Sequence, residues 1–287
     1  MGYDHLTPTE IEELNIQYLP RRTVPDTDTY FERAARRSAR LRAELSCHID
    51  VPYGDSDLQT LDIFPAAAED SPVFIFIHGG YWRALDKGSY SDIAAPFVAA
   101  GATVVLPNYD LCPAVTITDI VQQMRGALQW CYRNISRYHG DPERIYLSGH
   151  SAGGHLTGMM MATDWQGEFG LPADLLKGAA PLSGLFDIEP HRHTELQADL
   201  HLTAEEAAAN SPQLLSLTAS CPLLCAVGGG ESVSFHRQSR EFADKCRAAG
   251  LECEYLETGT DNHFDITERL HRPDDPLTRA LLHMMDL

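Results

Sequence analysis

Gly149-His150-Ser151-Ala152-Gly153 fits the pattern G-x-S-x-G, and the residues on either side decide what it means. Arg144-Ile145-Tyr146-Leu147-Ser148 reads as a short buried strand. Gly154 through Ala162, with Leu156, Met159, Met160 and Met161, reads as the start of a helix. A serine held in a sharp strand-to-helix turn leaves no room for a Cβ two residues before or after it, which accounts for both glycines. The helix N-terminus behind Ser151 offers free N–H groups and a positive dipole end, where an oxyanion can form. In this setting Ser151 is a candidate nucleophile.

Outward from the turn, the pattern alternates strand and helix. Cys47 to Tyr53 and Leu58 to Phe64 predict an antiparallel pair at a sheet edge. Val73 to Ile77 is a continuous apolar run, as the buried middle of a sheet requires. Further strands are expected at Thr103 to Pro107, Gly178 to Leu182, Leu223 to Val227 and Glu252 to Leu256. Helices are expected at about 89–100, Ile117 to Tyr138, 233–248 and 276–286. The alternation implies β-α-β units, hence an α/β fold with a mostly parallel, doubly wound sheet and an antiparallel N-terminal edge. Residues 1–46 form a helical segment expected to pack on the domain or its site, and 47–287 form the α/β domain. Thr7-Pro8-Thr9-Glu10 is a capping box that opens the first helix. Tyr30 to Leu45 is an amphipathic helix whose arginines, among them Arg33, Arg37 and Arg42, read as a solvated face. Residues 184–220 are an excursion with a helix from Thr203 to Asn210; it reads equally as a small cap insertion over a site or as a surface elaboration.

Composition narrows the function. The chain has 287 residues and a net charge of −19, from 22 basic and 41 acidic residues. Nucleic acid and anionic membrane surfaces need basic partners, so neither is expected. Met1-Gly2-Tyr3-Asp4-His5-Leu6 has no basic, apolar leader character, and no apolar run spans a bilayer. The seven scattered cysteines lack C-x-x-C pairs and read as free packing thiols in a reducing cytoplasm. His191-Arg192-His193 has no clustered acidic or cysteine ligands beside it, so no metal and no cofactor is expected. Met159 to Met161 reads as helix packing. A homodimer stays among the admissible assemblies, and nothing in the sequence decides it.

Serine needs a base to become a good nucleophile near neutral pH, and the base needs an orienting acid. In α/β-hydrolases they follow the serine in the order acid, then histidine. Of the thirteen histidines, His263 follows the last strand at its C-terminal end, where catalytic loops gather in parallel sheets. Four acids compete to orient it. Asp261 and Asp265 lie two residues away and cannot easily reach its Nδ1. Glu231 follows the strand ending at Val227, on the loop before the final strand, and is favoured; Asp187 is the runner-up. The glycines 228–230 before Glu231 lack the lysine and spacing of a phosphate loop. His78-Gly79-Gly80-Tyr81-Trp82 follows the Val73 to Ile77 strand and matches the HGG-type oxyanion motif. The expected oxyanion donors are the N–H groups of Gly80, Tyr81 and Ala152, with His78 bonding its own loop.

Taken together these segments resemble the arylformamidase (kynurenine formamidase) group of α/β-hydrolases, close to the HGG-motif esterases. The resemblance covers roughly residues 47–270. It includes Asn108-Tyr109-Asp110-Leu111, the serine turn extended through Gly154-His155, and Ser183-Gly184-Leu185-Phe186-Asp187-Ile188-Glu189-Pro190. Phe235-His236-Arg237-Gln238-Ser239 and Asn262-His263-Phe264-Asp265 complete it. It implies the α/β-hydrolase fold, with the nucleophile at Ser151, the base at His263 and the acid at Glu231. The family usually carries aspartate at that last place; glutamate is one methylene longer and can hold an imidazole equally well. The activity implied is metal-free hydrolysis of a small amide or ester through an acyl-enzyme, favouring an N-formyl arylamine such as N-formyl-kynurenine. Trp82, Phe186 and Phe264 are expected to line the substrate pocket. The alternatives are a carboxylesterase or aryl-amide hydrolase acting on small xenobiotic-like molecules and, in a different class, a non-catalytic binding protein of the same fold.

Overall fold

The apolar run at 73–77 becomes the middle of an eight-stranded sheet in a computed structural model, which describes residue 3 and residues 5–287. Met1, Gly2 and Asp4, part of the stretch read as lacking a leader, lie outside the described residues. The strands are β1 (His48–Pro52), β2 (Thr60–Phe64), β3 (Ser71–Ile77), β4 (Thr103–Pro107), β5 (Gly140–His150), β6 (Leu176–Leu182), β7 (Leu223–Gly228) and β8 (Cys253–Thr258). Their order is β1-β2-β4-β3-β5-β6-β7-β8. β1 and β2 pair antiparallel, β2 pairs antiparallel with β4, and the other pairings are parallel. The fold is the expected mostly parallel sheet with an antiparallel N-terminal edge.

Both faces of the sheet are covered. Along β3, Val73, Ile75 and Ile77 join one apolar core while Phe74 and Phe76 join the other, as the two-residue period of a strand dictates. Helix Ala152–Met161 buries every residue it has, the three methionines included. All seven thiols are free, and burial pushes those of Cys112, Cys131 and Cys246 up to about 12. Among the described residues no helix is long and apolar enough to cross a membrane.

Two N-terminal helices, α1 (Pro8–Tyr18) and α2 (Thr27–Glu44), lie against the domain. The capping box at the start of α1 is formed, with the Glu10 carboxylate accepting from the Thr7 N–H at 2.7 Å. The arginines of α2 correct the expectation of a solvated face. Arg37 donates to Asp92 at 2.7 Å and to both oxygens of Glu268, at 3.1 and 2.6 Å. Arg42 pairs with Asp62 of β2, a fully buried carboxylate that Lys87 also reaches at 3.1 Å. A buried carboxylate needs such partners, and periodicity does not register that need. Among the described residues, Arg36 and Arg40 pair only with Glu32 and Glu44 on the same helix and stay exposed.

Two buried histidines give the fold an acid limit. Burial holds His155 down to about 4 and His191 down to about 3. An unfolded histidine takes its proton near pH 6.5, so below that the unfolded chain binds protons that the native state refuses. Their contribution to stability is complete above about pH 6.5 and is lost as pH falls toward those native values. The melting temperature should therefore drop from pH 7 to pH 4. His191→Leu, which also removes two ring nitrogens without hydrogen-bond partners among the described residues, should make the drop shallower. An unchanged slope would remove His191 from the account.

Candidate active site

Ser151 sits between β5 and helix Ala152–Met161 at φ 58°, ψ −117°, a conformation that costs a non-glycine residue on the order of 1–3 kcal/mol. The surroundings enforce it. A Cβ on Gly149 would stand 2.3 Å from the Gly153 carbonyl oxygen, and one on Gly153 would stand 2.0 Å from that of Ile77. Ser151 N–H donates to the Leu182 carbonyl at 2.9 Å, which ties the turn to the end of β6.

His263 follows β8, and its Nδ1 lies 2.6 Å from Glu231 Oε2, both side chains almost wholly buried. The other oxygen, Oε1, accepts from Gly228 N–H at 2.7 Å and from Ser183 Oγ at 2.5 Å. The remaining acids are occupied elsewhere. Asp187 accepts from the Glu189 N–H, Asp261 pairs with Arg269, and Asp265 accepts from Tyr30 and from the Asn262 N–H. Gln238 locks the Asp187 turn by accepting from the N–H groups of Phe186 and Asp187 at 2.6 and 2.8 Å. The His263 ring packs against those of His150 and Phe235, with centroids at 4.4 and 4.6 Å. Burial first, and then the His263 ring, hold His150 well below the usual imidazole range.

The loop after β3 runs through three consecutive positive φ values: 118° at Gly80, 51° at Tyr81 and 56° at Trp82. The Gly80 carbonyl accepts from the N–H groups of Arg83 and Ala84, both at 3.1 Å. A Cβ on Gly80 would stand 2.0 Å from the Ala84 oxygen, so glycine is required there. Among the described residues, the N–H groups of Gly80, Tyr81 and Ala152 have no backbone or side-chain acceptor outside regular helix and strand pairing, which leaves them free for a ligand oxygen. His78 bonds its own loop, meeting the Gly79 carbonyl at 2.7 Å and Asn108 Oδ1 at 2.9 Å.

A cavity of about 170 Å³ joins these parts, lined by Ser151, His150, His263, Gly80 and Tyr81. Phe264 is in its wall as expected. Trp82 and Phe186 are not, and both correct the expected pocket. Trp82 is fully buried, its Nε1 donating to His155 Nδ1 at 3.1 Å beneath the loop. Phe186 is stacked on Phe242 at 4.0 Å in the core. The expected lining omitted the N-terminal segment, whose Leu19, Pro20, Tyr30 and Phe31 form much of the wall. Glu195 and Leu196 represent the 184–220 excursion there, so the excursion does reach the cavity. Ser183, which bonds Glu231, and Asn108, which bonds His78, have no motif of their own in the sequence. The signal for them was proximity to strand ends.

His191 packs against Tyr18 and Trp82, and His193 meets Glu189, so the His191-Arg192-His193 run points two ways. Among the described residues no group of three or more histidine, cysteine or acidic side chains could hold a metal ion.

A strained serine at the C-terminal end of a central parallel strand, within this strand order, defines a hydrolase of the α/β-hydrolase fold. The sequence profile of the BD-FAE family matches residues 61–177. The kynurenine formamidase of Danio rerio is 34% identical over 96% of this chain and 96% of its own. That of Salmo salar is 33% identical over 86% and 84%. A solved structure designated a thioesterase, from Silicibacter sp. TM1040, superposes with a TM-score of 0.83 at 28% identity, covering 94% of this chain and 98% of that one. The chain belongs to the kynurenine formamidase family.

The glycine geometry is open to test. Gly153→Ala must push a backbone carbonyl aside and should lower unfolding stability by about 3 kcal/mol or more. Gly126→Ala, in mid-helix with nothing within 4 Å of the new Cβ, should raise it by about 1 kcal/mol. Urea denaturation measures both, and a neutral Gly153→Ala would refute the close contact.

Proposed function

We propose that this chain is a serine hydrolase that removes a small acyl group, formyl above all, from an aryl amine. The observation that carries the reading is that Ser151 and His263 line one aromatic-walled cavity, with Glu231 bonded to the far side of the His263 ring at 2.6 Å. Ser151 Oγ attacks the carbonyl carbon while His263 Nε2 takes its proton. Glu231 holds the Nδ1–H side of the ring and offsets the charge that forms on it. The carbonyl oxygen becomes an oxyanion on the N–H groups of Gly80, Tyr81 and Ala152, where one such donor is worth about 10²–10³ in turnover. His263 then returns the proton to the departing amine nitrogen. Water attacks the acyl-serine by the same route in reverse, releasing the carboxylic acid.

The aromatic walls support the aryl half of the substrate. Tyr30 and Phe31 pack on Phe264 with ring centroids at 5.6 and 5.7 Å, so the three rings form one continuous aromatic surface in the cavity wall. The family relatives named kynurenine formamidase support N-formyl-kynurenine as the first compound to try.

Ser151→Ala should lower kcat/KM by about 10³-fold or more, and an unchanged rate would remove the serine from the mechanism. Glu231→Gln should cost far more than Asp187→Asn; the reverse order would transfer the acid role to Asp187. A panel of N-formyl-kynurenine, aryl amides and short acyl esters ranks the substrates by kcat/KM. A negligible formamide rate beside rapid ester hydrolysis would favour the esterase reading instead.

A further inference from the structure

We infer that the N-terminal segment is a working part of the catalytic site, and that Tyr30 on α2 is a positioning residue for His263. The inference rests on the serine mechanism proposed above.

The segment is bonded to each of the three loops that mechanism uses. At the oxyanion loop, the Tyr81 hydroxyl donates to the Tyr18 carbonyl. At the acid loop, Ser232 Oγ, one residue beyond Glu231, donates to the Gln17 carbonyl at 2.5 Å. There too, the Ser234 N–H donates to Gln17 Oε1 at 3.2 Å. At the base loop, the Tyr30 hydroxyl donates to Asp265 Oδ1 at 2.8 Å and accepts from Asn262 Nδ2 at 3.0 Å. Asn262 and Asp265 flank His263 and close its turn on themselves. Asn262 N–H donates to Asp265 Oδ2 at 3.0 Å, and Asn262 Oδ1 accepts from the N–H groups of Phe264 and Asp265.

Tyr30 thus holds both ends of the short turn that carries the imidazole, from an element 235 residues away in sequence. The helix beneath it does not slide freely, because Arg37 is bonded to Glu268 and Asp92 two turns further on. The Tyr30 ring also forms cavity wall, so one residue links the wall that meets the substrate to the loop that aims the base. A misplacement of the base by about 1 Å is enough to cost up to about a hundredfold in rate.

The two roles of Tyr30 separate in Tyr30→Phe, which keeps the ring in the wall and removes only the hydroxyl. With 4-nitrophenyl acetate, kcat should fall about tenfold. KM and the inhibition constant of acetophenone, an unreactive aryl ketone, should stay within about twofold, because the wall is intact. The melting temperature should move by about 2 °C or less. Phe31→Leu is the contrast, since it alters the wall without touching the tether. It should raise KM and the acetophenone constant by a larger factor than it lowers kcat, the reverse of the Tyr30→Phe pattern. A Tyr30→Phe enzyme with unchanged kcat, or one altered only in KM and acetophenone binding, would overturn the positioning role. Ser151→Ala in the same assay separates this from the mechanism beneath it. If it keeps the wild-type rate, the serine reading fails. If it is inactive while Tyr30→Phe is normal, only the positioning role fails.

Discussion

One buried carboxylate holds three strand ends in register. Glu231 uses Oε1 to accept from Gly228 at the end of β7 and from Ser183 just past β6, and Oε2 to meet His263 beyond β8. Taking a carboxylate out of water costs several kcal/mol, which these three partners must offset together. The demand is mutual. Without the carboxylate, the Gly228 N–H, the Ser183 hydroxyl and the imidazole would each face the interior unmatched. Parallel order is what makes the arrangement possible, because β6, β7 and β8 are neighbours and end on the same side.

Much of this was legible along the chain, for reasons that can be stated residue by residue. A continuous apolar run marked β3 because a strand buried on both faces has no polar side. The serine turn was legible because its glycines answer a steric demand that no other residue meets. Glu231 could be preferred over Asp187 because the loop before the last strand is one step from the histidine. Side-chain direction was not legible where the backbone leaves regular periodicity. Trp82 is the third of three consecutive residues with positive φ, and no alternation rule says that it turns beneath the loop rather than into the cavity. Phe186 lies in a turn locked by Gln238, more than fifty residues away. Arg37 and Arg42 were misread because a charged residue on a helix looks the same in sequence whether it meets water or a buried acid.

The N-terminal helices change the picture of where the domain ends. Their own sequence shows capping and amphipathicity, which describe helices but not their destination. Their destination is set by groups on the domain that need partners: Asp62 on β2, Asp92, Glu268 and the Tyr81 hydroxyl. The cavity wall therefore comes from both ends of the chain, Tyr30 and Phe31 from the start packed on Phe264 from the end.

The bond between Tyr30 and Asp265 also sets an order of assembly. Residue 30 leaves the ribosome early, but its partner is not made until 235 residues later. Throughout synthesis α2 carries arginines and aromatic rings whose acceptors and neighbours do not yet all exist. Contacts this distant pay their loop-closure entropy late and slow the last stage of folding. The cavity can close only after the sheet is complete through β8, so a chain halted short of that strand presents an unroofed aromatic face to its surroundings.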